Sequence, residues 1–236
     1  MKPMTTDIRR ARLCVLPAPI RVVAAFALVA MALALSGCGY DHYQWHQKTT
    51  VTVETPDGLK AGSAVVEVRA AFTDDPIMGA NEVNYEVRGE AVVVELAPGK
   101  VLFALLGGSE ERFYRAVRDR LKGKSRGEWL GIIPTMTDVA VLESKNVPLL
   151  VTFDDLADPA SVKRVDPTDL RATFGPGFAL KSITLEVTEE PVTEGDVEAV
   201  LGWLGEYPEP GLCSPTGIST NIPFCRRVHH GDFVRR

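Results

Sequence analysis

The sequence predicts an α+β domain: an antiparallel β-sheet of about six or seven strands with two or three short helices, after an N-terminal signal helix. Three observations carry that prediction. Apolar and polar residues alternate over short runs in the first half of the chain, as half-buried strands require. Turn sequences such as Pro56-Asp57-Gly58 and Ala97-Pro98-Gly99-Lys100 close those runs and join neighbours antiparallel. Stripes of apolar residues at helical spacing come mostly later, so strands lead and helices follow.

The chain starts with basic residues, Lys2, Arg9, Arg10, Arg12 and Arg21, followed by the uncharged apolar run Val22 to Leu35. A membrane-crossing helix needs about 20 apolar residues, and this run is shorter; its length suits the apolar region of a cleaved signal. It closes on Leu35-Ser36-Gly37-Cys38, where small residues let an extended backbone enter a peptidase cleft beside a nucleophilic thiol. The tetrapeptide resembles the lipobox of bacterial lipoprotein precursors. That resemblance implies lipidation of Cys38, cleavage just before it, and a body held at the membrane of a bacterial cell envelope, facing the periplasm. With several acyl chains at about 0.8 kcal/mol per buried methylene, such an anchor is stable. Gly39 stands where Asp retains enteric lipoproteins at the inner membrane, which favours the outer membrane. The division that follows is 1–37 signal peptide, 38–48 tether, 49–207 globular domain and 208–236 disulfide-looped tail.

Within the body, Lys48 to Thr55 alternates around Val51 and Val53, and Gly62 to Arg69 around Ala64, Val66 and Val68, which reads as a β-hairpin. Val83 to Val87 is a further strand, and Ala91 to Leu96, apolar but for Glu95, and Val101 to Leu106, apolar throughout, read as strands buried on both faces in mid-sheet. Ser109 is placed to cap a helix with Glu110 and Glu111 in its first turn and Phe113, Val117 and Leu121 on one stripe. Two more strands are expected at Leu149 to Phe153 and Leu180 to Thr188. Asp166-Pro167 starts a short helix that stops by Gly175-Pro176, and Thr193 with Asp196 resembles a capping box for a helix carrying Val197, Val200, Leu201 and Leu204.

Composition narrows the function classes. The chain is 45% hydrophobic and 24% charged, ordinary for a globular protein and unlike a disordered or fibrous one. Without residues 1–37, the body keeps 21 basic against 30 acidic side chains, and that acidic balance argues against nucleic acid as a partner. Of four cysteines, Cys14 leaves with the signal and Cys38 takes lipid. Cys213 and Cys225 remain, a pair that in an oxidising compartment forms a disulfide closing a loop with Pro215, Gly217 and Pro223.

Val151-Thr152-Phe153-Asp154-Asp155, Val165-Asp166-Pro167, Ala172 to Gly177 and Lys181 to Thr184 look like a segment that recurs in a group of bacterial proteins of unknown function. Thr50 to Val68 looks like the N-terminal hairpin of that group. The resemblance implies a recurring compact domain and carries over no activity or ligand residue.

Candidate constellations are few. His42 with His46, and His229 with His230, lack the acidic or thiolate ligands of a metal centre, so no metal and no cofactor is expected. Asp154, Asp155 and Asp158 cluster after a strand, where carboxylates do acid–base work or simply cap a turn. No nucleophile elbow and no phosphate-binding glycine loop is present, so no catalytic residue is assigned. The basic run Arg112, Arg115, Arg118, Arg120, Lys122, Lys124 and Arg126 is opposed only by Asp119 and could rest on anionic lipid. The expected function is a lipid-anchored binding or structural module with the membrane, and possible envelope proteins, as partners. The alternatives are a periplasm-facing hydrolase and a peripheral factor that contacts anionic lipid.

Overall fold

A computed structural model describes residues 40–75, 80–206, 211–213 and 222–236; the signal segment and Cys38 lie outside the described residues. Residues 41–236 form one compact unit. It is mostly β, with five short α-helices among the described residues, in outline the expected mixture of strands and helices. The single sheet of six or seven strands is corrected: among the described residues, ten strands form two antiparallel sheets.

The larger sheet has the order β10-β3-β2-β1-β9-β6, with β1 at Asp41–Thr55, β2 at Gly58–Asp75, β3 at Ala80–Glu90, β6 at Ala140–Val141, β9 at Ala179–Thr188 and β10 at Val234–Arg235. The hairpin expected around Pro56-Asp57 is there, with Thr55 opposite Gly58, but its arms are far longer than the sequence pattern showed. The smaller sheet, β4-β5-β7-β8, takes Val92–Ala97, Lys100–Ala104, Leu150–Phe153 and Val162–Val165. Here β5 is buried on both faces as expected, whereas β4 is an edge strand, not mid-sheet. Its outward Glu95 is exposed, the kind of charge that protects an edge from pairing with another chain.

Alternation along β5 explains the layering. Leu102 and Ala104 point into a core shared with Val51, Val53, Val66, Val68, Ile183 and Leu185 of the larger sheet. Val101, Phe103 and Leu105 point the other way, into a second core with Val197, Leu201, Leu204, Val228 and Phe233. The smaller sheet is therefore the middle of three layers. The sheets approach closely at Gly62, where a Cβ would stand 1.9 Å from the carbonyl oxygen of Val93. Helices α1 (Ser109–Val117) and α2 (Arg126–Ile132) close one end of the first core through Phe113, Val117, Trp129 and Leu130. The short α3 (Arg171–Phe174) ends at Gly175 as expected.

The tether expected at 38–48 is corrected from Asp41 onward: those residues are the first half of β1, paired on one side with β2 and, from His46, with β9 on the other. Trp45 is 4% exposed and Gln47 is fully buried. A buried glutamine is tolerable only when satisfied. Gln47 donates through Nε2 to the Ser109 carbonyl at 2.8 Å and accepts from Trp45 Nε1 at 3.2 Å. The tail expected at 208–236 is likewise corrected, because Leu212, Val228 and Phe233 are buried in the second core. Within it α5 (His230–Phe233) leads into β10, which pairs with Gly89 and Glu90. The disulfide between Cys213 and Cys225 is present, with Cα atoms 5.6 Å apart.

Two expected caps are also replaced. Ser109 is the first residue of α1, and the N-cap is Gly108 in the left-handed region at φ 73°. The second helix, α4 (Asp196–Val200), has Gly195 at its N-cap, while the Thr193 hydroxyl accepts from the Val65 N–H instead. α4 is capped from another strand: the carboxylate of Glu90 accepts from the N–H groups of Gly195, Asp196 and Val197 at 3.1, 2.9 and 3.3 Å. Three backbone donors and a positive helix end stabilise the negative charge of a side chain that is only 2% exposed.

Candidate functional site

The outer face of the larger sheet carries opposite charges in register. Glu67 on β2 stands across from Arg88 on β3, and Arg69 across from Glu86, the cross-strand pairing that favours a fixed register. Beyond these pairs, β3 reaches Gly89 at φ 132°, where a side chain would press on the Val65 carbonyl. The space between this end of β3, α4 and β10 opens into a groove of about 600 Å³. Four arginines line it (Arg69, Arg88, Arg235, Arg236), with four glutamates (Glu86, Glu90, Glu194, Glu198).

These charges are held in pairs that span elements. Arg88 reaches Glu194 at 2.5 Å and Arg236 reaches Glu198 at 2.5 Å, joining β3 to the loop before α4 and the chain end to α4 itself. Arg69 lies 2.7 Å from Glu67 and 3.8 Å from Glu86. Arg235 donates through Nε to the Gly231 carbonyl at 2.9 Å. The guanidinium side chains of Arg69, Arg88 and Arg236 are at least half exposed, so a ligand group can replace a carboxylate partner at little net cost in pairing. Guanidinium forks hold carboxylate or phosphate oxygens in two parallel hydrogen bonds, and glutamates hold ammonium or guanidinium groups. The groove therefore presents both signs of charge side by side. Alongside it, β10 pairs only with Gly89 and Glu90, so on that side of β3 no other strand is paired among the described residues.

The residues singled out from sequence lie elsewhere. Asp154 forms an ion pair with Lys163; Asp155 accepts from the Ala157 N–H and Asp158 from the Ala160 N–H, so this cluster shapes a turn. His46 on β1 lies 2.7 Å through Nδ1 from the Glu190 carbonyl, and His229 belongs to the capping box of α5 with Asp232. Among the described residues no group of three or more His, Cys, Asp or Glu is placed to hold a metal ion.

The basic run is split by the fold, which corrects its reading as one surface. Arg112 is 6% exposed, donates to the Gly107 carbonyl at 2.5 Å, and loses water so thoroughly that burial, helped by nearby Arg115, pushes its pKa down to about 10. Arg115 is exposed but turned back to the Gly108 carbonyl at 3.1 Å. Arg118, Arg120 and Lys122 are exposed, with Arg120 paired to Asp138.

Sequence reasoning missed the groove. Its one legible signal is Glu86-Val87-Arg88-Gly89-Glu90, charges of alternating sign at every second position with a glycine among them. Nothing local announces that Arg235, Arg236 and Glu198 come to the same place. No family model, curated protein or solved structure matches this chain. Among the described residues no helix is long and apolar enough to cross a membrane.

Proposed function

We propose that the chain is a lipid-anchored binding module of a bacterial envelope. It is acylated at Cys38, faces the periplasm, and holds an extended segment of a partner protein in the groove between β3, β10 and α4. The observation that carries the reading is the groove itself: arginine and glutamate pairs, partly exposed, beside the 80–88 stretch of β3, which beyond β10 has no strand paired on that side among the described residues. Free strand edges receive extended peptides by main-chain hydrogen bonding, with side-chain charges giving selectivity. The lipobox resemblance at Leu35 to Cys38 supports the anchor.

A photocrosslinking amino acid placed at Glu86, in cells of the source bacterium, should give a discrete protein adduct. The double variant Arg69→Glu and Arg88→Glu should remove that adduct while leaving the protein folded. Adducts from Glu86 identical to those from a probe at Asp57, on the far turn of the β1–β2 hairpin, would overturn the groove as the binding site.

A further inference from the structure

We infer that the domain lies directly on the lipid phosphate layer, oriented with the β1 start and the turn between α1 and α2 toward the bilayer and the Pro56-Asp57 turn away from it. This rests on acylation of Cys38 and adds the orientation of the body.

The first argument is length. Only Gly39 and Tyr40 separate Cys38 from Asp41, which is already in β1. Three peptide units extend at most about 11 Å, so Asp41 stays within the headgroup zone of an acylated chain. From there β1 runs fifteen residues to Thr55, and at about 3.3 Å per residue its far end can stand more than 40 Å away.

The second argument is where the exposed basic residues sit. α1 starts beside the middle of β1, where Gln47 bonds the Ser109 carbonyl. It continues as a 3₁₀ turn over Arg118–Leu121. The segment from Ser109 to Leu121 rises about 20 Å, the same length as the stretch of β1 from Gln47 back to Asp41. α2 then begins against the other end: a Cβ at Gly127 would lie 2.8 Å from the ring of Phe72, and Phe72 is the residue paired with Asp41. The turn from Lys122 to Ser125 is therefore at the Asp41 end of the sheet. Arg118, Arg120, Lys122, Lys124 and Arg126 are all exposed in it or beside it. Arg120 and Lys124 are matched by Asp138 and Glu128, whereas Arg118 and Lys122 have no carboxylate within ion-pair distance among the described residues.

The third argument sets the tilt. At the same end, β3 carries the exposed Glu82 opposite Thr73 of β2, a carboxylate that anionic headgroups repel. Attraction on the helix side and repulsion on the hairpin side lean the domain onto Arg118 and Lys122.

The test uses the full acylated chain, purified from membranes and reconstituted in vesicles of phosphatidylcholine alone or with phosphatidylglycerol, some lipids carrying a headgroup-level quencher. A fluorescent amino acid is placed at Asp119 or, in a second sample, at Asp57. Quenching at Asp119 should exceed that at Asp57 at least threefold, and equal quenching overturns the orientation. In phosphatidylglycerol vesicles, Arg118→Glu with Lys122→Glu should cut the Asp119 quenching by half or more; no change removes the basic contact. Intact mass on the same samples separates the two readings. Acyl mass with equal quenching defeats the orientation alone, and an unacylated chain defeats the anchor and this inference with it.

Discussion

The two cores on either face of the smaller sheet are built differently. The inner core collects alternate residues from long paired strands: Val51 and Val53 of β1, every second residue from Ala64 to Phe72 of β2, and Ile183 and Leu185 of β9. The outer core collects Val197, Leu201, Leu204, Leu212, Val228 and Phe233 from a stretch with little regular structure. It is held by few backbone bonds, among them Leu212 N–H to the Cys225 and Val228 carbonyls, Ala91 N–H to Phe233 and Leu106 N–H to Asp232. Ladders carry the first core; a disulfide, a remote carboxylate cap and aromatic edges carry the second. The difference teaches that periodic burial stabilises a sheet by itself, whereas an irregular layer needs staples at named points.

The largest effect should come from the place where the cores share a strand. Phe103 on β5 is fully buried and meets Phe153 and Phe233 edge-on, each at 5.7 Å between centroids. Phe103→Ala should lower stability by about 3–5 kcal/mol, since it removes transfer energy and leaves a cavity. Because Leu102 and Ala104 of the same strand serve the inner core, urea unfolding followed by tryptophan fluorescence and circular dichroism should remain one transition. Two separated transitions would show that the outer layer unfolds on its own.

Removing the staple should act more locally. Cys213→Ser with Cys225→Ser should lower stability by about 2–3 kcal/mol on the loop-entropy account. Hydrogen exchange should speed up in 196–204 and 228–235 and stay unchanged in β1, β2 and β9. Uniform acceleration across all strands would erase the distinction between the cores. A smaller effect belongs to the cap on α4. Glu90→Gln keeps the shape but gives the three N–H groups a neutral acceptor, so a loss of about 1–2 kcal/mol is expected in the same denaturation assay.

The same contrast accounts for what was legible in the sequence. The arms of the hairpin around Pro56-Asp57, the β4–β5 turn, α1 and β9 follow from alternation or helical spacing, which are local signals. The first half of β1 was not legible, because its inward face carries Gln47 and Thr49 beside Trp45; the Gln47 amide N–H is satisfied inside by the Ser109 carbonyl, 62 positions away. The C-terminal layer escaped for a related reason: its apolar residues are sparse, and their meeting point is fixed by a disulfide and by Glu90 from the middle of the chain. The disulfide pairing could be read by counting cysteines. The arginine–glutamate groove could not, since it joins β2, β3, α4 and β10, and no single stretch holds more than a few of its charges.

The smallest expected effect concerns Arg112, which joins the small cavity behind α1 that Glu90 and Thr49 also line. A buried guanidinium is unfavourable unless its partners repay the lost water, and Arg112 has one carbonyl, Gly107, at 2.5 Å. Burial lowers its pKa to about 10, so above that value the unfolded chain binds more protons than the folded one, and stability rises with pH there. At neutral pH both states are charged and the full burden of burial remains. Arg112→Met keeps most of the volume and removes the charge, so it should change stability at pH 7 by no more than about 1 kcal/mol, toward greater stability. The gap between variant and parent should narrow above pH 10, because the parent then sheds the proton that burial disfavours. Urea denaturation at pH 7 and pH 10.5 measures both quantities. A loss of about 3 kcal/mol or more at pH 7 would mean instead that Arg112 balances the buried Glu90 charge through the cavity, making the seam between the two cores an electrostatic joint as well as an apolar one.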